Sequence, residues 1–468
     1  MTSRSAAQTF LMQVRETLRQ AWPVLISAWA SMAFGVMDTA MAGHASAADL
    51  QAMSLAVSIY ITIFVGLMGV IHALIPIIGQ HYGAQRLLEV GRAWGQGVWL
   101  SMGLSALGAI AMLFPDAWLS LSGDVDPAVR NGVTWYLRAL ILALPAALAF
   151  RAIYALGTAV SRPKVVMTIN LAAIVVKGVF NWVFIFGKLG APALGAAGAG
   201  LSTAITSWFS LAAGLWIMRH DGFFRQFQPR LDRPRWADLK ELLRLGIPMG
   251  GSYLVEVVAF TFMALLIARE GMYATGGHQI TANLVALCYM LPMSIGIASA
   301  SLTAQAIGAR DMARARQTGL AGLSIALAGA LLTIALIMGF KPAILAAYTD
   351  NLEVAAMAAL LLQILPYFHL CDAMQCVNAY LLRAYKVAVI PLLMQIIALL
   401  GLGLAGGWWL GFGPGAGSLA PVLQIIMPGA PSGAASMWLM AAIGLGLSAL
   451  LQHIWYWHVV RQHSAHSA

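Results

Sequence analysis

Twelve long apolar segments follow one another along the chain, separated by short loops. A bilayer core about 30 Å thick is crossed by about 20 apolar residues in helical conformation, so each segment is long enough to span it. In hydrocarbon, a helix pairs its backbone polar groups within one segment, whereas an open sheet leaves an edge unpaired. The segments fall approximately at 20–42, 52–80, 95–114, 133–156, 165–188, 194–217, 246–268, 278–300, 318–338, 353–380, 388–410 and 435–460.

The composition agrees with a membrane protein. Apolar residues make up 60% of the chain and charged residues only 9%, whereas soluble domains are about 25% charged. This balance excludes a soluble enzyme. Residues 1–20 carry charges and no continuous apolar core, so we interpret them as an amphipathic lead-in and not as a cleaved signal peptide. The sequence therefore predicts an all-α polytopic membrane protein with twelve transmembrane helices.

Basic residues are distributed unequally between the loops of the two sides. The two terminal tails and the even-numbered loops hold 20 of the 27 Lys and Arg residues, among them Arg383 and Lys386 in the loop before the eleventh segment. By the positive-inside rule this bias places both termini in the cytoplasm. The formal net charge of +10 then reflects topology and gives no reason to expect a nucleic-acid partner.

The two halves of the chain repeat each other. An offset of 225 residues superposes Pro23 on Pro248 and Gln80 on Gln305, and the offset drifts to 221 or 222 further along. Six helices per half is an even number, so the repeats enter the membrane in the same direction, related by a pseudo-two-fold axis along the membrane normal. We therefore expect two six-helix lobes, at 1–218 and 246–468, joined by a basic cytoplasmic linker at 219–245.

Three carboxylates fall inside the predicted spans. A charge at the bilayer centre costs about 2.5 to 3.5 kcal/mol on insertion scales, so such residues are rarely kept for packing alone. Asp38 lies near the outer end of the first span, where a carboxylate could be partly exposed. Glu256 and Asp372 lie deeper, and no basic residue is predicted within the spans of the second half. An unpaired buried carboxylate either holds a proton or binds a cation such as Na⁺.

Basic residues are predicted within the spans of the first half only. Lys177 and Asn181 are four residues apart and share one helix face. Lys177 could form an ion pair with Asp38 or extend to the membrane interface. The sequence assigns no role to Arg138 or Arg151. It also assigns none to the uncharged stretch 411–434, which we expect to form an apolar outer loop.

Several blocks of sequence resemble the NorM-type branch of the multidrug and toxic compound extrusion (MATE) family. The similarity runs from about Pro23 to Trp457. It implies a secondary transporter, not an enzyme, that exports organic cations in exchange for H⁺ or Na⁺ by alternating access. The blocks are Val36-Met-Asp-Thr-Ala-Met-Ala-Gly43, Pro76-Ile-Ile-Gly-Gln-His-Tyr-Gly83, Gly198-Ala-Gly-Leu-Ser-Thr203, Pro292-Met-Ser-Ile-Gly296 and Leu382-Arg-Ala-Tyr-Lys386.

The resemblance also implies roles for particular residues. Glu256 and Asp372 match the acidic pair that couples cation and drug in the second lobe, and Asp38 matches the acid of the first lobe. Asn181 and Thr203, with Lys177, correspond to a polar first-lobe site. The candidates for substrate contact are Gln279, Asn283, Tyr367 and Phe368.

Two departures from the family pattern bear on the coupling ion. Lys177 stands where a polar residue such as Asn is expected, and its ammonium would occupy or repel a first-lobe Na⁺. Phe368 stands where the family pattern has Tyr, which removes a possible ligand. Both departures favour H⁺ over Na⁺ as the coupling ion.

We therefore predict a monomeric multidrug antiporter of the bacterial inner membrane that takes small hydrophobic cations as substrates and needs no cofactor. No phosphate-binding loop of the G-x-x-x-x-G-K-[ST] type occurs, which argues against direct pumping by nucleotide hydrolysis. Two alternatives remain open at this stage. One is a flippase or exporter of a lipid-linked or polar metabolite, and the other is a proton-translocating subunit of a respiratory complex.

Overall fold

Twelve helices of the computed structural model are long and apolar enough to cross a membrane. The structure describes residues 3–120 and 126–465, and within these ranges it contains helices and no strands. The prediction of an all-α protein with twelve transmembrane helices is therefore confirmed. The helices are α1 (Gln8–Ala45), α2 (Ala48–Gly83), α3 (Leu87–Met112), α4 (Pro127–Ala159), α5 (Pro163–Phe186), α6 (Ala196–His220), α7 (Trp236–Glu270), α8 (Met272–Gly308), α9 (Met312–Gly339), α10 (Leu352–Ala384), α11 (Val389–Gly411) and α12 (Ser432–Ala465).

Four of these helices are locally irregular, and in α7 the last three residues, Ala268–Glu270, form a 3₁₀ turn. A turn follows Ile71 in α2 before the helix resumes at Leu74, and one 3₁₀ turn occurs in α10 at Leu362–Ile364. In α11 the segment Ile396–Ala405 is a π-helix, a conformation that is rare and often found at functional sites. The expected lead-in is part of the first helix, which is continuous from Ser3 to Ala45. The predicted outer loop contains a short helix at Ala420–Ile426.

The chain divides into two compact units. The first unit is Trp22–Gly250, and the second unit joins the described residues up to Ala21 with the chain from Gly251 onward. The N-terminal turns are bound to the second unit by side-chain contacts. Thr318 donates a buried hydrogen bond of 2.8 Å to the Gln13 side chain, and Arg314 pairs with Glu16 at 3.5 Å.

The two units share the packing of three helices around one central helix. In the first unit α4 packs against α2, α3 and α6, and in the second unit α10 packs against α8, α9 and α12. Adding six to the number of each helix in the first unit gives the number of the corresponding helix in the second unit. The agreement of packing with the offset seen in the sequence supports an internal repeat of six helices.

The connection between the repeats packs against the first unit. A Cβ atom added to Gly91 or Gly95 of α3 would collide with the backbone carbonyls of Phe227 and Arg230, so only glycine permits this close approach. Nearby, the Trp99 indole donates to the Asp232 carbonyl at 2.7 Å. Residues 219–235 are thus bound along α3 and do not form a loose tether.

A carboxylate accepts hydrogen bonds from the N-terminus of the last helix in each unit. In the first unit, Asp49 Oδ1 accepts from the Ala196 N–H at 2.9 Å, where α6 begins. In the second unit, the two oxygens of Glu270 accept from the Gly433 and Ala434 N–H groups, each at 2.8 Å, where α12 begins. A carboxylate at this position satisfies unpaired N–H groups and compensates the positive end of the helix dipole.

We expect Glu270→Ala to lower the free energy of unfolding by about 1 kcal/mol, because two N–H groups of α12 lose their acceptor. Thermal denaturation of the purified protein in detergent measures the change. Glu353→Ala is the control, since Glu353 is an exposed carboxylate in the first turn of α10. Since Glu353→Ala also removes a charge near a helix N-terminus, equal midpoints for the two variants would contradict a contribution from the two hydrogen bonds of Glu270.

Candidate functional site

The second unit contains a cavity of about 400 Å³. Side chains from α7, α8, α10, α11 and α12 line it, and most of them are apolar. Two carboxylates, Glu256 of α7 and Asp372 of α10, lie on its wall. The aromatic part of the wall includes Phe260 and Phe368, whose rings meet edge to face with centroids 6.1 Å apart.

Neutral donors contact the Glu256 carboxylate. The Gln395 side-chain amide donates to Oε1 at 3.2 Å, and the Tyr289 hydroxyl makes a long contact with Oε2 at 3.5 Å. Gln395 is fully buried and is the last residue of α11 before the π-helix. The π-helical segment then supplies Leu399, Gly403 and Leu404 to the cavity wall.

The two carboxylates of the cavity have no close cationic partner in the part of the chain that the structure describes. Within the described ranges, neither Glu256 nor Asp372 has a Lys, Arg or His nitrogen within 4.0 Å. Asp372 is only 7% exposed. Since burying an unpaired charge is costly, the arrangement favours a protonated carboxyl or a bound cation at this place.

One expectation about the second half is wrong. Arg383 was assigned to a cytoplasmic loop, yet it lies in the last turn of α10 and is only 4% exposed. Its guanidinium donates to the Tyr253 hydroxyl at 3.2 Å and lies over the Tyr253 and Tyr380 rings, 5.0 and 4.6 Å from their centroids. The error arose because α10 continues to Ala384, beyond the end of its apolar run.

The first unit contains a buried ion pair. Lys177 Nζ of α5 lies 2.8 Å from Asp38 Oδ1 of α1, and their side chains are 1% and 9% exposed. Lys177 also donates to Thr203 Oγ1 at 2.6 Å and to the Ala199 carbonyl at 3.1 Å. The Asn181 amide donates to the same Asp38 oxygen at 2.7 Å. The pairing of Lys177 with Asp38 that the sequence allowed is thus confirmed, and of the two alternatives for Asp38, buried or partly exposed, the structure shows the buried one.

The ion pair forms part of the wall of a second cavity, of about 260 Å³, within the first unit. Hydroxyl groups from α1 and α6 and the rings of Tyr60 and Tyr136 also line this cavity. Arg151 reaches it from α4 and lies 5.6 Å from the Phe64 ring and 5.7 Å from the Tyr154 ring. Arg138 lies over Trp135 of the same helix at 5.0 Å.

Of the four residues predicted to contact substrate, two line the cavity of the second unit and two are exposed outside its described wall. Asn283 and Phe368 line the second-unit cavity. Gln279 and Tyr367 are exposed and do not belong to its described wall, with Tyr367 59% exposed. A role for any of the four in substrate binding stays a prediction.

Comparison with known proteins identifies the family. The MatE family model matches residues 23–183 and 248–409, one stretch in each half of the chain. The chain belongs to the MatE family. It is a secondary transporter of the multidrug efflux class and not an enzyme, as the sequence predicts. Membership in this family argues against the alternative of a respiratory subunit.

Individual members of the family match most of the chain. A protein of Aromatoleum aromaticum called "Probable multidrug resistance protein NorM" is 38% identical over 84% of this chain and 85% of its own length. The protein with the same description from Neisseria meningitidis serogroup B is 35% identical over 88% of this chain and 90% of its own length. Among solved structures, the eukaryotic MATE transporter AtDTX14 matches with a TM-score of 0.85 at 18% identity, covering 98% of this chain and 100% of that chain. The last match supports the fold alone.

No role was predicted from the sequence for three side chains of the second unit, Gln395, Tyr289 and Arg383. Gln395 had a detectable signal, since it is the only amide or charged residue in α11. Tyr289 had none, because it is one of many aromatic residues in the spans. The buried position of Arg383 was not predicted, because a basic residue directly after an apolar run is usually assigned to a loop.

The buried pair of the first unit gives a stability prediction. Asp38→Asn leaves the Lys177 ammonium buried without a counter-ion, so we expect a loss of about 3 to 5 kcal/mol in the free energy of unfolding. The double variant Asp38→Asn/Lys177→Asn should lose less than the sum of the single variants, since it removes both charges. Thermal or denaturant unfolding in detergent measures all three.

The exposed pair between Arg130 and Asp116 provides the control, because its atoms lie 3.5 Å apart and its side chains are 55% and 72% exposed. Asp116→Asn should cost about 1 kcal/mol or less. Additive effects of Asp38→Asn and Lys177→Asn would argue against a coupled pair.

Proposed function

We propose that this transporter exports hydrophobic organic cations in exchange for protons, and that Glu256 and Asp372 bind protons and the substrate in turn. The observation that carries the proposal is the pair of carboxylates, without a cationic partner within 4.0 Å among the described residues, in a largely apolar cavity of about 400 Å³. A cation of drug size would find both an electrostatic partner and apolar contact area there.

Competition for the same carboxylates explains how exchange occurs. A proton neutralises a carboxylate and removes the attraction for the organic cation, whereas loss of the proton restores it. Alternating access then requires that the protonated and substrate-bound forms favour different orientations of the transporter. A membrane potential of about 100 mV adds roughly 2.3 kcal/mol for each charge moved, which is sufficient to bias such an equilibrium.

The wall of the second-unit cavity supports a hydrophobic cation as substrate. Phe260, Phe368 and Tyr289 present aromatic groups to it, and Met290 and Met437 present flexible thioethers. Aromatic faces attract cations, and methionine adapts to ligands of different shape. A flippase for anionic lipid-linked precursors would instead need basic groups at this place, so the two carboxylates favour the efflux of cations.

The first unit supports protons over Na⁺ as coupling ions. The Lys177 ammonium is surrounded by three oxygen atoms, from Asp38, Thr203 and Ala199, at 2.6 to 3.1 Å. Oxygen atoms in such a cluster would otherwise suit a small cation. We infer that the side chain of Lys177 itself supplies the positive charge of this site, so that the first unit needs no Na⁺.

We propose that the transporter acts as a monomer in the bacterial inner membrane, with both termini in the cytoplasm. The orientation follows from the excess of basic residues in the two tails and the even-numbered loops. The basic linker between the repeats then also lies on the cytoplasmic side.

Transport in proteoliposomes loaded with an organic cation dye tests the coupling. We expect a pH gradient without Na⁺ to drive dye transport by the wild type, and Glu256→Gln and Asp372→Asn each to lower transport to the rate of protein-free liposomes. Glu353→Gln is the matched control, since this exposed carboxylate should leave the rate unchanged. Wild-type rates in both Glu256→Gln and Asp372→Asn would disprove the assignment, and transport driven by Na⁺ alone would identify Na⁺ as the coupling ion.

A second experiment tests the role of Lys177. Lys177→Asn removes the tethered cation and leaves Asp38, Asn181 and Thr203 around an empty position, so we expect Na⁺ to raise the thermal stability of this variant and to stimulate its transport. The wild type should not respond. Asp38→Asn/Lys177→Asn is the control, because it lacks the carboxylate that would bind the ion. If Na⁺ affects Lys177→Asn no more than this double variant, Lys177 does not occupy a cation site.

A further inference from the structure

A row of buried side chains runs along one face of α10, from the cavity of the second unit toward the loop that follows the helix. Its members Asp372, Cys376, Tyr380 and Arg383 are spaced by four, four and three residues and are all less than 9% exposed. At about 1.5 Å per residue, Arg383 lies about 16 Å along the helix from Asp372. The row therefore leads from a carboxylate of the cavity to the end of the helix.

Three side chains, those of Tyr253, Tyr380 and Arg383, meet at the far end of this row. We call them the Arg383 cluster. The hydroxyl groups of Tyr253 and Tyr380 share a hydrogen bond of 2.6 Å, and Arg383 donates to the Tyr253 hydroxyl at 3.2 Å. Tyr253 belongs to α7 and precedes Glu256 by three residues, which is about one turn. The cluster thus lies between Glu256 and the loop that contains Lys386.

Arg383 is held by neutral groups. Among the described residues no carboxylate oxygen lies within 4.0 Å of it, and its contacts are a phenol hydroxyl and two aromatic faces. An arginine stays charged in proteins. The cluster therefore places a fixed positive charge in a buried position, in contact with Tyr253, which precedes Glu256 by about one turn of α7.

We propose that Arg383 is an electrostatic barrier that prevents cations from passing between Glu256 and the loop after α10. Two positive charges repel each other much more strongly in a protein interior than in water, so a cation or a proton that leaves Glu256 toward this loop meets a high barrier. Fixed arginines exclude protons and cations in the same way in selective membrane pores. The barrier forces an ion bound at Glu256 to leave only with the conformational change, which keeps ion movement coupled to transport. This inference rests on the proposed role of Glu256 in ion binding.

Ion leak in proteoliposomes without any substrate tests the barrier. Liposomes containing a pH-sensitive dye and the wild type or Arg383→Gln are exposed to a proton gradient under a K⁺ diffusion potential, and a Na⁺ dye replaces the pH dye in a parallel series. We expect the leak of at least one of the two ions to be about tenfold faster in Arg383→Gln. Arg383→Lys keeps the charge and should leak at the wild-type rate. Arg383→Gln/Glu256→Gln should also return to the wild-type rate, because the leak passes through Glu256.

Three results would overturn the barrier. They are a wild-type leak of both ions in Arg383→Gln, a fast leak in Arg383→Lys, and a leak in Arg383→Gln that does not depend on Glu256. If Arg383→Gln does not reconstitute, Arg383→Met replaces it, since this side chain is also uncharged, and the same three results would overturn the barrier. The dye transport of Glu256→Gln separates the two proposals, since wild-type transport there contradicts the function of Glu256 whatever the leak.

Discussion

The cost of an unpaired charge in a low-dielectric interior determines where the few charged residues of this protein are found. Each buried charge must have a counter-charge, a set of dipoles or aromatic faces, or a ligand that comes and goes. The protein uses all three solutions. Lys177 and Asp38 neutralise each other, Arg383 is held by phenol groups, and Glu256 and Asp372 border a cavity that is able to admit a ligand.

The two repeats therefore differ in chemistry although their helices pack alike. In the first unit the Lys177 ammonium contacts oxygen atoms of Asp38, Thr203 and Ala199. In the second unit the neutral side chain of Gln395 contacts Glu256, and among the described residues no basic nitrogen lies within 4.0 Å of Glu256 or Asp372. The two repeats thus share their packing around one central helix, while among the described residues the cavity carboxylates without a basic nitrogen within 4.0 Å lie in the second unit.

Much of the fold followed from the sequence because the bilayer imposes a simple rule on length and polarity. The twelve helices and the pairing of Lys177 with Asp38 were accessible in this way, since lipid forces helical structure and a buried ammonium needs a partner. The end of α10 was not predicted correctly. A helix continues past its apolar run when neighbouring helices bury its last turn, as they do around Arg383. The π-helix of α11 was also inaccessible, since its hydrogen bonding depends on packing against α12 and not on a composition that differs from an α-helix. Gln279, Asn283 and Tyr367 are all polar, so the sequence does not distinguish them. The structure places Asn283 on the cavity wall and leaves Gln279 and Tyr367 exposed.

The position of the connecting segment has a practical consequence for studying the halves one at a time. A boundary placed where the basic linker begins would separate the halves at about residue 218 and would assign residues 219–245 to neither half. Residues 219–235 instead cover the glycine face of α3 and bond to Trp99 and Gln96. A first half produced as a separate chain must therefore extend beyond Arg235, and one that stops at about residue 218 would uncover the glycine face of α3.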